Sequence, residues 1–338
     1  MKDYASSIAF TIFALITGYW VGGLAGAWTI MVLGILEVSL SFDNAVVNAS
    51  VLKNWGPVWR QRFMVWGMLI AVFGMRVVCP LVIVAILGHM GPMEAIDLAM
   101  NKPDDYARVL TSAHHQITAF GGTFLLMVFL KFFLDNNKDE HWLSWIEHPL
   151  TKLARFTEVI VLALLVCITM TLPSEEQASF LIAGVSGLGI FLLVEVLGSL
   201  MGGDEEGAHG GERIIKEGIG GFMYLEVLDA SFSFDGVIGA FALTKNIILI
   251  ALGLGIGAMF VRSMTLVLVK KNTMGKFRYL EHGAFWAIGA LAGVMFLGLK
   301  THVPEAVTGL IGAMAIAASL YSSVRANRRE AALTVKAA

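Results

Sequence analysis

The 338 residues are 57% hydrophobic and 15% charged, with a mean hydropathy of +0.74, where an ordinary soluble domain carries roughly 25% charged residues. This is the composition of an integral membrane protein. A formal net charge of −2, with no Gly-rich phosphate loop where one would have to follow a strand, excludes nucleic acid as a partner and a phosphate-loop enzyme.

About 20 apolar residues cross the hydrocarbon core of a bilayer. In chain order the candidate spans lie near 7–22, 27–52, 63–88, 116–134, 157–173, 179–201, 218–244, 247–269, 283–299 and 303–323, ten in all. The first reads as a retained helix rather than a cleaved signal, because apolar segments follow it throughout. It is joined to the second by the tight link "VGGLAG". Cys79 and Cys167 sit singly in separate spans and read as packing residues. The polar connections are short, the longest being "MEAIDLAMNKPDDYARVLTSAHHQ", "LDNNKDEHWLSWIEHPLTKLAR" and "GGDEEGAHGGER", so no separate soluble catalytic domain fits.

Cytoplasmic loops are enriched in Lys and Arg. With ten spans and both termini on one face, that face holds eighteen basic residues, among them Lys53, Lys270, Lys271, Arg278 and Arg325. The opposite face holds four, Lys102, Arg108, Lys245 and Lys300, which puts both termini in the cytoplasm. Arg76 and Arg262, completing the 24, fall inside spans.

The chain repeats itself. "LEVSLSFDNAVVNASVLKN" (36–54) over "LDASFSFDGVIGAFALTKN" (228–246) matches at seven of nineteen positions without gaps, and Glu37 stands over Asp229. Downstream, "GMLIAVFGMR" (67–76) lies over "GLGIGAMFVR" (253–262), each running from a glycine to an arginine. The copies are five spans apart, and an odd offset inverts the second relative to the first. The expected architecture is therefore all-α and polytopic: one membrane domain over 1–338, with inverted five-helix repeats near 7–173 and 179–323 and a cytoplasmic tail at 324–338.

A carboxylate at the centre of a membrane helix costs about 2.5–3.5 kcal/mol on insertion scales, so such residues mark function. Glu37 and Asp43 are six residues apart, which on a regular helix leaves them about 120° from a common face. The neighbouring Ser39, Ser41, Asn44 and Asn48, and in the second copy Ser231, Ser233, Gly236 and Gly239, are types that loosen helical hydrogen bonding. Discontinuous helices are thus expected at both motifs, gathering Glu37, Asp43, Asp229 and Asp235 with serine and asparagine oxygens. Four clustered carboxylates cannot all stay ionised in a poorly hydrated place without a cation. All-oxygen donors suit Mn²⁺, Mg²⁺ or Ca²⁺, and competition with protons for the same oxygens would couple exchange. The expected metal-binding set is Glu37, Asp43, Asn44, Asp229 and Asp235, with Ser41, Asn48 and Ser233 as further donors and Arg76 and Arg262 as gating or charge-pairing partners. Glu158, Glu195 and Glu226 have no counterpart in the other copy and rank below these.

"LEVSLSFDN" resembles the Glu, then Asp-Asn signature of the TerC family, and "LDASFSFD" resembles its second Asp-rich motif. The similarity extends through "WGMLIAVFGMR", "GGTFLLMVFLKF", "FRYLEHGAFWAIGALAGVMFLGLK" and "HVPEAVTGLI". This family is associated with tellurium resistance and manganese export, so the resemblance implies a polytopic metal-ion transporter with Glu37, Asp43, Asn44, Asp229 and Asp235 at its site. One departure is plain: the family commonly continues its second motif Asp-Ser-Ile-Pro, where this chain has Asp235, Gly236, Val237 and Ile238, pointing to a divergent branch.

The expectation is a secondary exporter of a hard divalent cation, Mn²⁺ first, in a bacterial-type inner membrane. It is not an enzyme and holds no permanent cofactor; its partners are the metal ion, the lipid bilayer and, as an option, further copies of itself. The alternatives are proton-coupled efflux of an organic solute, and a membrane-embedded enzyme or assembly partner in the tellurite response.

Overall fold

A computed structural model describes residues 2–134, 140–201, 217–301 and 303–337, among which every regular element is helical. Seven helices there are long and apolar enough to cross a membrane. Their outward faces carry large apolar side chains such as Trp20, Leu24, Ile182 and Leu200. So much exposed apolar surface is untenable in water and natural against lipid. The molecule is a polytopic helical membrane protein.

α1, Ala5–Leu40, is a hairpin in one helical run. Its backbone leaves helical values at Gly22 and Gly23, where Gly23 has φ +63° and ψ −152°, a conformation essentially confined to glycine. The arms then close until a Cβ on Gly26 would stand 2.4 Å from the Gly18 carbonyl oxygen. Residues eight apart in a straight helix would be about 12 Å apart. The "VGGLAG" link is therefore a turn between two antiparallel arms.

The second arm reaches Ser41, whose φ −102° and ψ 17° end α1, and α2, Phe42–Leu52, resumes immediately. α3, Pro57–Leu87, contains two π-helical stretches, Phe63–Gly67 and Ile70–Val78. At the second, the Cys79 N–H reaches back to the Gly74 carbonyl just before Pro80. Proline has no N–H and its ring crowds the preceding turn, which a wider turn relieves. The short helices α4, Pro92–Asn101, and α5, Pro103–Ser112, cover one end of the molecule. They are followed by α6, His114–Phe133, α7, Ser144–Thr151, α8, Thr157–Thr169, and α9, Ser174–Met201. The chain ends with α10, Ile219–Leu243, α11, Ile247–Lys270, α12, Leu280–Gly298, and α13, Glu305–Ala337.

α11 is the central post. The Ser7 hydroxyl donates to its Met259 carbonyl at 2.7 Å. On the returning arm, Leu33 packs on Gly253 and Gly34 on Ile256, glycines again permitting close approach. α2 lies against α11 and α12, while α10 lies against α3 and α6. The apolar core between these elements includes the stacked rings of Phe132 and Phe285, with centroids 3.8 Å apart.

Ion pairs sort to the two ends. One end holds Asp3–Lys270, Lys53–Glu281 at 2.7 Å, and Arg278 between Glu140 and Glu330. The other holds Asp104–Lys245 and His115–Glu176. Lys53, Lys270 and Arg278 belong to the basic-rich set of eighteen and Lys245 to the set of four.

Three expectations need correction or narrowing. The second acidic motif is not on a discontinuous helix: α10 runs unbroken through 228–236. No proline interrupts it, and the Ser231 hydroxyl bonds back to the Val227 carbonyl within the ladder. α8 has only 13 helical residues, and α10 carries Glu226, Asp229 and Asp235, so neither reads as a span by length and composition alone. The "GGDEEGAHGGER" linker lies outside the described residues.

Candidate functional site

The two acidic motifs meet. Glu37, Ser41, Asn44 and Asn48 recur at intervals of three and four, as do Glu226, Asp229, Ser233 and Gly236 on α10. Such spacing gathers side chains on one helix face in α10, and in the first copy it continues from α1 into α2 across the break at Ser41. The faces cross antiparallel: the Asn44 amide Nδ2 donates to Asp229 Oδ1 at 2.5 Å, and Glu37 Oε2 stands 2.9 Å from where a Cβ on Gly236 would be.

A cavity lies on each side of the crossing, and Ser41 and Asn44 line both. Toward the Lys245 end, the first is lined by Glu37, Asp43, Phe232, Gly236, Thr308 and Gly309. Toward the Lys53 end, the second is lined by Asn48, Gly67, Arg76, Glu226, Asp229 and Arg262. The break at Ser41 starts α2 at the crossing, with Asp43 in its first turn accepting the Asn44 N–H at 2.9 Å. A carboxylate there meets the positive end of the helix dipole.

Glu37 and Arg76, 7% and 4% exposed, form an ion pair of 2.7 Å. Arg76 also donates to the Ala71 carbonyl at 2.6 Å, a carbonyl within the π-helical stretch. Arg76 thus pairs with an acid, Glu37. Arg262, its counterpart in the repeat, instead donates to the Ser6 hydroxyl at 3.3 Å and pairs with no acid among the described residues. Ser233 is buried on the face of α10 that carries Asp229, its hydroxyl without a partner. Asp235 belongs to α10, and its side chain lies outside the described residues.

Of the four expected carboxylates, Glu37, Asp43 and Asp229 have described side chains, and these three do not form one cluster. Among the described residues no three His, Cys, Asp or Glu side chains come together in a metal-holding group. Arg76 occupies Glu37, and Asn44 stands between the cavity of Asp43 and that of Asp229. What converges instead is a mixed set: Asn44 Oδ1, Asn48 Oδ1, Asp229 Oδ2 and Glu226 Oε2 are buried acceptors without a hydrogen-bond partner, all on residues lining the Lys53-side cavity. Buried polar atoms are nearly always satisfied, so these four acceptors, with the unpartnered Nε of Arg76 and of Arg262 on the same lining, require explanation.

Glu226 is the residue that the repeat comparison passed over, since Gly34 occupies its counterpart position in the first copy. The signal that finds it is local: it precedes Asp229 by three residues and so shares its helix face.

Fold and site together define a multi-span helical protein with a charged, cavity-flanked crossing buried in its interior. Over residues 42–330 the chain matches the family described as "Protein of unknown function (DUF475)", and it belongs to that family. Comparison with curated proteins and with solved structures found no match.

Proposed function

We propose that this protein is a secondary transporter of a hard divalent cation, with Mn²⁺ the first choice. It carries the ion from the cytoplasm outward across a bacterial-type cytoplasmic membrane, in exchange for protons. The observation that carries the reading is the contact between the duplicated motifs: Asn44 of the first hydrogen-bonds Asp229 of the second between two cavities directed to opposite ends. A buried charged crossing with a cavity on either side is the arrangement that alternating access requires. Oxygen-only donors at the crossing favour Mn²⁺, Mg²⁺ or Ca²⁺ over soft metals.

The same reading takes the chain as ten crossings in two inverted halves. Its support is the reciprocal packing, in which each motif helix lies against helices of the other half, α2 on α11 and α12, and α10 on α3 and α6. Both termini then share the basic-rich, cytoplasmic end. The choice of Mn²⁺ and the outward direction rest on the TerC resemblance.

The test is Mn²⁺ flux into sealed vesicles bearing the purified protein, with wild type beside Asp43→Asn, Asp229→Asn and Asp235→Asn. Saturable flux in the wild type, reduced at least tenfold in Asp229→Asn with folding intact, is expected. No wild-type flux under gradients of either sign, with Mg²⁺ and Ca²⁺ also tried, would overturn the proposal.

A further inference from the structure

We infer that Glu226 is a ligand of the cation, completing with Asp229, Asn44 and Asn48 an all-oxygen site in the Lys53-side cavity. The inference rests on the transport reading and adds to it a residue outside the duplicated motifs.

Glu226 is 7% exposed and Asp229 9%, while Asn44 and Asn48 are each 4% exposed. Each has one oxygen without a hydrogen-bond partner, and all four residues line the same cavity. Two carboxylates three residues apart on one helix face repel each other, and neither has a salt bridge among the described residues. Arg76 donates to Glu37 and Arg262 to Ser6, while the Nε of each arginine, on the lining of the same cavity, is without a partner. A divalent cation would neutralise this pair and satisfy the amide oxygens together. Two carboxylates and two amide carbonyls are donors that hard cations take, with water filling the remaining positions.

Packing does not demand an acid at this position. Glu226 sits on Gly67 of α3, where a Cβ would stand 2.6 Å from its Oε1. In the other half the glycine aligned with Gly67 is Gly253, and there the group packed on it is the apolar Leu33. The same helix contact is thus made by a hydrocarbon side chain in one half and a carboxylate in the other. A buried carboxylate that the scaffold can do without, in the cavity that holds Asp229, is explained by a ligand. The π-helical stretch ending at Gly67 makes the seat, as such stretches often do at functional sites.

The experiment is Mn²⁺ binding to the purified full-length protein in nanodiscs, read as loss of the free-Mn²⁺ electron paramagnetic resonance signal. Wild type is compared with Asp229→Asn, Glu226→Gln, Glu226→Asp, Gly67→Ala and the peripheral control Glu158→Gln. Expected are at least tenfold weaker binding in Glu226→Gln, a smaller loss in Glu226→Asp, and a loss in Gly67→Ala, which displaces the carboxylate without removing it. Glu158→Gln should bind as wild type. Melting of the metal-free protein separates ligand from scaffold: Glu226→Gln should melt no lower than wild type, because among the described residues no ion pair depends on this carboxyl and its Oε2 has no partner to lose. Binding within twofold of wild type in Glu226→Gln, with Asp229→Asn defective, would overturn the inference and leave the transport reading standing. Absence of Mn²⁺ binding by the wild type, together with absence of flux, would overturn both.

Discussion

Glu37 and Arg76 are 39 residues apart in sequence, and their pairing changes the meaning of both. Each was expected near the site, one as a ligand and one as a partner for acids, and the structure joins them to each other. Removing one member of a buried pair leaves the other charge uncompensated, at a typical cost of about 3–5 kcal/mol. Arg76→Met should therefore lower the melting temperature in detergent sharply. The double variant Glu37→Gln/Arg76→Met should recover most of the loss, because neither charge then remains. A double variant no more stable than Arg76→Met would show that the arginine stabilises through the Ala71 carbonyl instead. The acid types, Asn44 and the arginine were legible in the sequence because they are costly in an apolar run. Which acid would meet the arginine was not, because that depends on how α3 packs against α1.

At the scale of the element, the glycines decide the path of the chain. Gly23 takes a backbone conformation that L side chains rarely adopt, whereas Gly22 has φ −136° and only Leu249 Cδ1, at 3.8 Å, near the place of a Cβ. Gly23→Ala should cost about 1–2 kcal/mol, read as a fall in melting temperature, while Gly22→Ala should be close to neutral. Equal effects would mean that the turn is not held by backbone conformation at Gly23. The hairpin was legible from "VGGLAG", and the break at Ser41 from the cluster of serine and asparagine that competes for backbone hydrogen bonds. The continuity of α10 was not: Ser39 in the broken copy and Ser231 in the continuous one both bond back to the carbonyl four residues earlier, and neither motif holds a proline, so the serines do not distinguish the two. Glu226 escaped for a related reason. Recurrence between halves singles out symmetric residues, and the side chain that distinguishes one cavity from the other has by definition no repeat partner.

At the scale of the molecule the number of crossings turns on α8. Its 13 residues span about 20 Å, less than the roughly 30 Å of hydrocarbon. Yet its neighbours touch both ends. Glu158 pairs with Lys131 at 3.0 Å toward the basic-rich end, and Glu176, just past the turn after α8, pairs with His115 at the other. The turn Ala154–Phe156 before it and the hydrogen-bonded turns through Leu172 after it extend its reach. Sidedness decides the matter. Between the exposed Lys102 and Lys271 lie, besides the short α5 and α7, the five longer helices α6, α8, α9, α10 and α11, so the two positions face opposite sides of the membrane if all five and no others cross. If α8 alone fails to cross, four crossings return them to the same side. With Cys79 and Cys167 replaced by serine, Lys102→Cys should react with a membrane-impermeant maleimide on intact cells. Lys271→Cys should react only in inverted vesicles. Labelling of both from the same side would remove the proposed inverted relation between the halves, and with it the symmetry on which the proposed alternating access at the Asn44–Asp229 crossing depends.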